Sequence, residues 1–80
     1  MRLNLKLAVI TKGIGHQAIA NAANKFLEPD ERLTELGITK LITERRDPTA
    51  RQAAALARVL GRSSVELFPP TEEGRDHEQG

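Results

Sequence analysis

Side chains that commonly carry catalysis are scarce in this chain of 80 residues. It contains no cysteine, tryptophan or tyrosine, and its two histidines are His16 and His77. It has no His-Glu-x-x-His metal motif, glycine-rich phosphate loop or Gly-x-Ser-x-Gly nucleophile motif. Without cysteine, a disulfide framework and a cysteine-based zinc site are excluded. We therefore expect a binding module rather than an enzyme, with neither a metal nor a cofactor.

The chemistry that the sequence does offer is the binding of anions. Residues 39–62 include six basic side chains and only two acidic ones, Glu44 and Asp47. Lysine and arginine supply most of a protein's affinity for a polyanionic backbone, so this stretch predicts either a phosphate-contacting face or a plainly solvated one. The six basic residues are Lys40, Arg45, Arg46, Arg51, Arg58 and Arg62.

Charge also divides the chain into a folded part and a tail. Residues 1–70 carry 11 basic and 7 acidic side chains, whereas residues 71–80 carry Arg75 against four acidic ones, so the total is +1. The tail has no apolar residue, which predicts a disordered acidic segment after a single domain. No apolar run is long enough to cross a bilayer and no secretory signal is visible, so we expect a soluble cytoplasmic protein.

Apolar residues recur at helical spacing throughout, which predicts an all-α bundle of about five helices. Helix one, about 2–12, is expected to turn the stripe Leu3, Leu7 and Ile10 toward the core. Helix two is expected over about 16–26, with Phe26 closing its apolar face. Asp47-Pro48 should end the third helix, because the residue before proline avoids the α region. Thr49 with Gln52, and Ser63 with Glu66, form two capping boxes that predict the starts of the last two helices.

The third helical segment, opened by Pro29-Asp30, has an irregular phase. On one continuous helix, Leu33 and Leu36 would lie nearly opposite Ile38, Leu41 and Ile42. Gly37 lies between these two groups of apolar residues in the sequence. We expect a break or kink at Gly37, the alternative being one helix over about 31–45 that is apolar on two sides.

Several short motifs occur in a fixed order. Helix two begins Gly15-His16-Gln17-Ala18-Ile19-Ala20, the third segment reads Ile38-x-x-Leu41 and then Arg45-Arg46-Asp47-Pro48-Thr49, and the last helices end in Leu56-Ala-Arg-Val-Leu60-Gly61 and Leu67-Phe68. This order resembles the XRE family of helix-turn-helix DNA-binding domains, the phage repressors and Cro-like proteins. The resemblance implies a lambda-repressor-like fold for residues 1–70.

The resemblance also implies roles for particular residues. The third helix would lie in the major groove, where Thr39, Lys40 and Thr43 are the candidates for contact with bases. His16, Gln17, Arg45 and Arg46 are the candidates for contact with phosphates, although for His16 alone we favour an exposed residue with no such role. Arg58 and Arg62 are expected to be solvated or paired with Glu66.

The sequence departs from the family pattern between helices two and three. Ala20 and Ile38 are 18 positions apart, so the turn is lengthened by an insertion around Lys25–Arg32. The insertion brings Leu33 and Leu36, which would either cap the end of helix two near Phe26 or form a contact between two chains. A homodimer is possible, through that leucine pair or through Leu67 and Phe68 in the last helix.

Two functions remain open at this point. The first is a sequence-specific transcriptional regulator of bacterial or phage type that binds double-stranded DNA. The second is a protein-interaction module on the same fold, similar to an antirepressor or an antitoxin.

Overall fold

Five α-helices and one 3-10 turn make up residues 1–69, the part of the chain that the computed structural model describes. The predicted all-α bundle is confirmed, and the predicted acidic tail at residues 71–80 lies outside the described residues. Helix α2 packs against α3 and α4, and α1 packs against α5, α3 and α4. The elements are α1 (Leu3–Lys12), α2 (His16–Asn24), the 3-10 turn (Pro29–Glu31), α3 (Glu35–Ile42), α4 (Ala50–Leu60) and α5 (Ser64–Leu67).

Helix α1 turns the opposite face to the core from the one that its spacing predicts. Its buried residues are Leu5, Ala8 and Val9, whereas the predicted core stripe, Leu3, Leu7 and Ile10, is 50–62% exposed. Both sets have helical spacing, because apolar residues dominate the first turns of α1 and make two apolar faces. The small Ala8 lies on the buried face and permits close approach of the neighbouring helices.

Helix α2 ends two residues earlier than predicted. Ile19, Ala20 and Ala23 are fully buried, but the helix stops at Asn24 and leaves Phe26 half exposed in the connection that follows. The guanidinium of Arg58 lies over the Phe26 ring, 4.6 Å from its centre. Phe26 therefore forms a surface cation–π contact with α4 rather than closing the core.

The inserted connection between α2 and α3 is an integral part of the bundle. Leu27 and Leu33 are buried in the core. The side-chain amide of Asn24 pairs with both backbone groups of Leu33, accepting from its N–H at 2.7 Å and donating to its carbonyl at 2.9 Å. From α4, the amide of the buried Gln52 donates to the carbonyl of Glu31 at 2.8 Å. These bonds fix both ends of the connection around the 3-10 turn.

Leucines 33 and 36 do not form a pair. Leu33 is 3% exposed and lies before α3, whereas Leu36 is 61% exposed and lies in its first turn. Leu33 belongs to the core, so the alternative of a chain-to-chain contact through both leucines is wrong. Leu67, part of the other predicted dimer face, is also fully buried.

The predicted break at Gly37 is wrong because α3 begins only at Glu35. Thr34 is its N-cap, and the Thr34 hydroxyl accepts a hydrogen bond from the backbone N–H of Gly37 at 3.0 Å. The apparent change of phase arises because Leu33 precedes the helix. Gly37 is buried, and a Cβ there would lie 3.3 Å from the Thr34 hydroxyl oxygen and 3.6 Å from Arg46 Nη1. Its small size thus leaves room for the cap and for an arginine.

The last two helices begin as predicted. Thr49 and Gln52 form a complete capping box at α4. At α5 the Ser63 hydroxyl accepts from the Glu66 N–H, but the Glu66 carboxylate pairs with Arg62 at 3.0 Å instead of completing the second box. The predicted pairing of Arg62 with Glu66 is therefore confirmed.

Arg2 connects the start of the chain to the end of α3. Its backbone N–H donates to the carbonyl of Ile42 at 2.8 Å. Its guanidinium donates to the carbonyl of Leu41 at 2.6 Å, to that of Arg46 at 3.1 Å and to the carboxylate of Asp47 at 2.6 Å. The last carbonyls of a helix have no partner within the helix, and a cation there also favours the helix dipole. Arg2 thus acts as the C-terminal cap of α3.

We expect Arg2→Ala to lower the free energy of unfolding by about 1.5–3 kcal/mol, because it removes the hydrogen bonds of a charged guanidinium to the partly buried Leu41 carbonyl and to the Arg46 carbonyl. Asp47→Asn should cost less than about 1 kcal/mol, because exposed ion pairs contribute little and the Asp47 side chain is 88% exposed. Urea denaturation of both variants measures the difference. Equal destabilisation of the two variants would show that the ion pair, and not the capping of α3, is what matters.

Candidate nucleic-acid interface

The start of α2 meets the middle of α3 through one side-chain hydrogen bond. His16 Nδ1 and the Thr39 hydroxyl lie 3.0 Å apart, and both residues are half-buried. His16 is the first residue of α2, where the backbone N–H groups have no side-chain cap. The structure therefore brings together a predicted phosphate contact and a predicted base contact, and the Thr39 hydroxyl is already engaged within the protein.

The exposed side of α3 carries the other predicted base contacts. Lys40 and Thr43 are both exposed, and the opposite side of the helix, with Ile38 and Leu41, is buried. The Thr43 hydroxyl donates to the carbonyl of Thr39 at 3.0 Å. Lys40 forms no ion pair with any residue between 1 and 69. Lys40 thus presents an uncompensated cation on the outer face of α3.

Two exposed arginines, Arg45 and Arg46, follow α3 in a tight turn. The backbone N–H of Arg45 donates to the carbonyl of Lys40 at 2.9 Å, and the Arg46 carbonyl accepts from Arg2. Within the described part of the chain, neither arginine forms an ion pair. The turn is held by its backbone. Both arginines are exposed, and the guanidinium of Arg46 lies beside Gly37 in the first turn of α3.

Glu44 bends the chain at this turn. Its φ of 63° places it in the left-handed region, which glycine adopts most readily. Its carboxylate pairs with the amino group of Met1, and the hydrogen bond from that group, together with its positive charge, lowers the pKa of Glu44. Because Glu44 is paired in this way, it does not neutralise the two arginines that follow it.

A polar surface continues from the start of α2 along that helix. The exposed Gln17 donates to the side chain of Asn21 at 3.0 Å, one turn later on the helix. Beyond Asn21 lies an open cleft of about 230 Å³ lined by Asn21, Asn24, Lys25 and Arg32. No acidic residue lines this cleft, and its two cations, Lys25 and Arg32, lie at the two ends of the insertion.

The predicted basic face is smaller than the sequence suggests. Arg58 on α4 lies over Phe26, and Arg62 in the turn after α4 pairs with Glu66 of α5, so both are engaged away from α3. Arg51 is exposed in the first turn of α4. Among the described residues, the free cations on and just after α3 are therefore Lys40, Arg45 and Arg46.

Sequence reasoning missed two residues that position this surface. Arg2 fixes the turn from which Arg45 and Arg46 project, and Asn24 fixes the insertion. The sequence signal for Arg2 is the presence of a basic residue just before α1 and of an acidic residue, Asp47, after α3. The spacing of Asp47 and Pro48 by itself predicts only the end of the third helix. For Asn24, the signal was an amide at the end of α2, where such residues bond to nearby backbone.

No family model matches this chain, and no curated protein or solved structure shows significant similarity to it. Within residues 1–69, no group of three or more histidine, aspartate or glutamate side chains could hold a metal ion. None of the helices in this range has the length and apolar character that crossing a bilayer requires.

The left-handed conformation of Glu44 predicts a difference between two substitutions that both remove its carboxylate. We expect Glu44→Gly to melt roughly 4–8 °C above Glu44→Ala, since only glycine adopts this conformation without steric cost. Thermal unfolding followed by circular dichroism measures the difference. Identical melting temperatures would show that the turn relaxes out of the left-handed region.

Proposed function

We propose that this domain binds double-stranded DNA as a sequence-specific transcriptional regulator of bacterial or phage type, with α3 as the recognition helix of a helix-turn-helix. The observation that carries the proposal is the set of free cations on and just after one helix, Lys40, Arg45 and Arg46, while the other side of that helix is buried. The motif order that resembles the XRE family supports the same function. Such a protein acts in the cytoplasm, by binding and not by catalysis.

In this proposal the residues divide into base contacts and phosphate contacts. Lys40 and Thr43 face base edges in the major groove, where each base pair presents a distinct pattern of donors and acceptors. Arg45 and Arg46 hold phosphates at the end of the helix. The Thr39 hydroxyl can bind a base only if it first gives up its hydrogen bond with His16. We therefore assign the His16–Thr39 pair mainly to holding α2 against α3.

Phosphate binding in the proposal extends to α2. Its first N–H groups have no side-chain cap and carry the positive end of the helix dipole, which suits a phosphate next to Gln17. The cleft with Lys25 and Arg32 lies farther along the same helix. In this proposal, Lys25 and Arg32 add positive charge beside the DNA backbone at that cleft.

A protein-interaction module, similar to an antirepressor or an antitoxin, is the second candidate. The observation that favours it is the first turn of α3, where Glu35 and Leu36 are both exposed and Leu36 exposes 61% of its surface. The N-terminal residues of a recognition helix usually contact base edges. A carboxylate and a leucine at this place suit a protein partner better than DNA.

The double variant Arg45→Ala/Arg46→Ala tests the DNA proposal. We expect it to weaken binding equally to all duplexes, because phosphate contacts do not depend on base sequence. The slope of log affinity against log salt should fall by about one for each phosphate that the variant no longer neutralises. Titration of a labelled duplex pool at several salt concentrations measures both quantities.

The matched control is Lys6→Ala/Lys12→Ala, which removes the same charge from two exposed lysines of α1 that form no ion pair within residues 1–69. It should change the salt slope much less than the arginine double variant. If the two double variants weaken binding alike, net charge alone accounts for the affinity. A wild-type protein that binds no duplex at low salt would contradict the proposal and favour the interaction module.

Leu36 provides a second test, because its exposed side chain can be exchanged without disturbing the core. If the start of α3 enters the groove, Leu36→Lys should tighten duplex binding and steepen the salt slope by about one, as one more phosphate is neutralised. Leu36→Gln serves as the uncharged control. An unchanged slope in Leu36→Lys would place the first turn of α3 away from DNA and support its use as a protein contact.

A further inference from the structure

Among residues 1–69, Gly37 is the one glycine that lies inside a helix. Glycine at such a position lowers the stability of a helix relative to alanine. The other three glycines in this range, Gly13, Gly15 and Gly61, have a positive φ, whereas Gly37 does not. Conformational freedom therefore does not explain the glycine, and the explanation must lie in the space that its missing side chain leaves.

The guanidinium of Arg46 borders that space. A Cβ at position 37 would lie 3.6 Å from Arg46 Nη1, so the guanidinium lies directly beside the first turn of α3. The backbone of Arg46 is beyond the other end of the helix, where its carbonyl accepts a hydrogen bond from Arg2. The side chain of Arg46 thus runs back along α3 and places its charge at the start of the helix.

We propose that Gly37 is a positioning residue for DNA binding: its missing side chain allows the guanidinium of Arg46 to lie beside the first turn of α3, where it holds a phosphate. The proposal rests on the DNA binding proposed above and refines the assignment of Arg46 there. The phosphate at the end of α3 is left to Arg45.

The place of Gly37 on the helix puts this guanidinium at one edge of the exposed face of α3. At about 100° per residue, Gly37 lies about 60° from the exposed Lys40 and about 160° from Thr39, with Lys40 between them. Thr39 is bonded to the start of α2. The face that would enter the groove therefore has Arg46 along one edge and the start of α2 along the other.

The charge of Arg46 is not neutralised by the part of the protein that the structure describes. It forms no ion pair there, although Glu35 lies in the same turn of α3. A cation at the start of a helix also faces the positive end of the helix dipole, which is unfavourable. A phosphate between the guanidinium and the first turn would be stabilised by both.

The alternative role of Gly37 is only to make room for the N-cap. A Cβ at this position would lie 3.3 Å from the Thr34 hydroxyl oxygen, which is tighter than its 3.6 Å distance from Arg46 Nη1. Alanine would crowd the cap but leave an ordinary van der Waals distance to the guanidinium. Leucine has the same Cβ and three more carbons, which need the volume beside the guanidinium. Gly37→Ala and Gly37→Leu therefore separate the two roles.

Titration of a labelled duplex pool at several salt concentrations tests the proposal. Gly37→Leu should lower the slope of log affinity against log salt by about one and weaken binding roughly five- to tenfold at 0.1 M salt, because one phosphate is no longer neutralised. Arg46→Ala should do the same, and Gly37→Ala should keep the wild-type slope. Circular dichroism establishes that each variant is folded at the assay temperature. If Gly37→Leu is not, Gly37→Gln replaces it, since its unbranched chain fills similar volume.

Double variants show whether position 37 acts through Arg46. In the Arg46→Ala background, Gly37→Leu should lower neither the affinity nor the slope further, because the group that it displaces is already absent. In the Arg45→Ala background, which is the matched control, Gly37→Leu should keep its full effect.

Nuclear magnetic resonance of the free protein tests the positioning without DNA. The Nε–Hε resonance of Arg46 should shift in Gly37→Leu and stay near its wild-type position in Gly37→Ala. An unshifted resonance in Gly37→Leu would refute the positioning role whatever the protein binds.

Two outcomes of the titration would overturn the proposal while leaving DNA binding intact. One is a Gly37→Leu variant that keeps the full slope. The other is a Gly37→Ala variant that loses as much slope as Gly37→Leu, since the crowded cap would then be the cause. A wild type that binds no duplex would instead contradict the proposed function itself, and with it the phosphate contact of Arg46.

Discussion

The guanidinium of Arg2 joins parts of the chain that are distant in sequence, and the candidate interface depends on this contact. It bonds to two backbone carbonyls and a carboxylate between residues 41 and 47, and it lies 5.4 Å from the centre of the Phe68 ring. The ion pair with Asp47 is largely exposed and contributes little. The carbonyl contacts matter more, because they cap α3 where its own hydrogen bonds run out. The same contacts fix the turn from which Arg45 and Arg46 project, so the cap that ends the helix also positions the cations after it.

A second constraint acts at the other end of α3, where the inserted connection must return the chain from α2. A short turn achieves such a return with its backbone alone, but ten residues lie between Asn24 and Glu35. Here side chains hold the connection in place. The Asn24 side-chain amide forms hydrogen bonds with both the N–H and the carbonyl of Leu33. The side-chain amide of Gln52, on α4, donates to the carbonyl of Glu31. With Leu27 and Leu33 buried, the insertion contributes apolar burial to the core, which offsets the conformational entropy that ordering it costs.

The sequence predicts this structure best where the signals are local. Thr49 and Gln52 cap α4 as their spacing indicates, because both halves of a capping box lie within one turn of helix. It predicts least where two apolar faces compete. In α1, neither the spacing nor the composition distinguishes Leu5, Ala8 and Val9 from Leu3, Leu7 and Ile10, since only the packing against α5 and α3 decides which face is buried. In α3, counting Leu33 as helical made Gly37 look like a break.

The residues of the candidate site also divide into those whose exposure the sequence predicts and those whose contacts it does not. Exposure of Lys40, Arg45 and Arg46 follows from their charge and from the buried residues between them, and the structure agrees with it. The His16–Thr39 bond joins residues 23 apart. It depends on how two helices cross, which no local pattern in the sequence encodes, and it changes Thr39 from a free base contact to a residue already bonded within the protein.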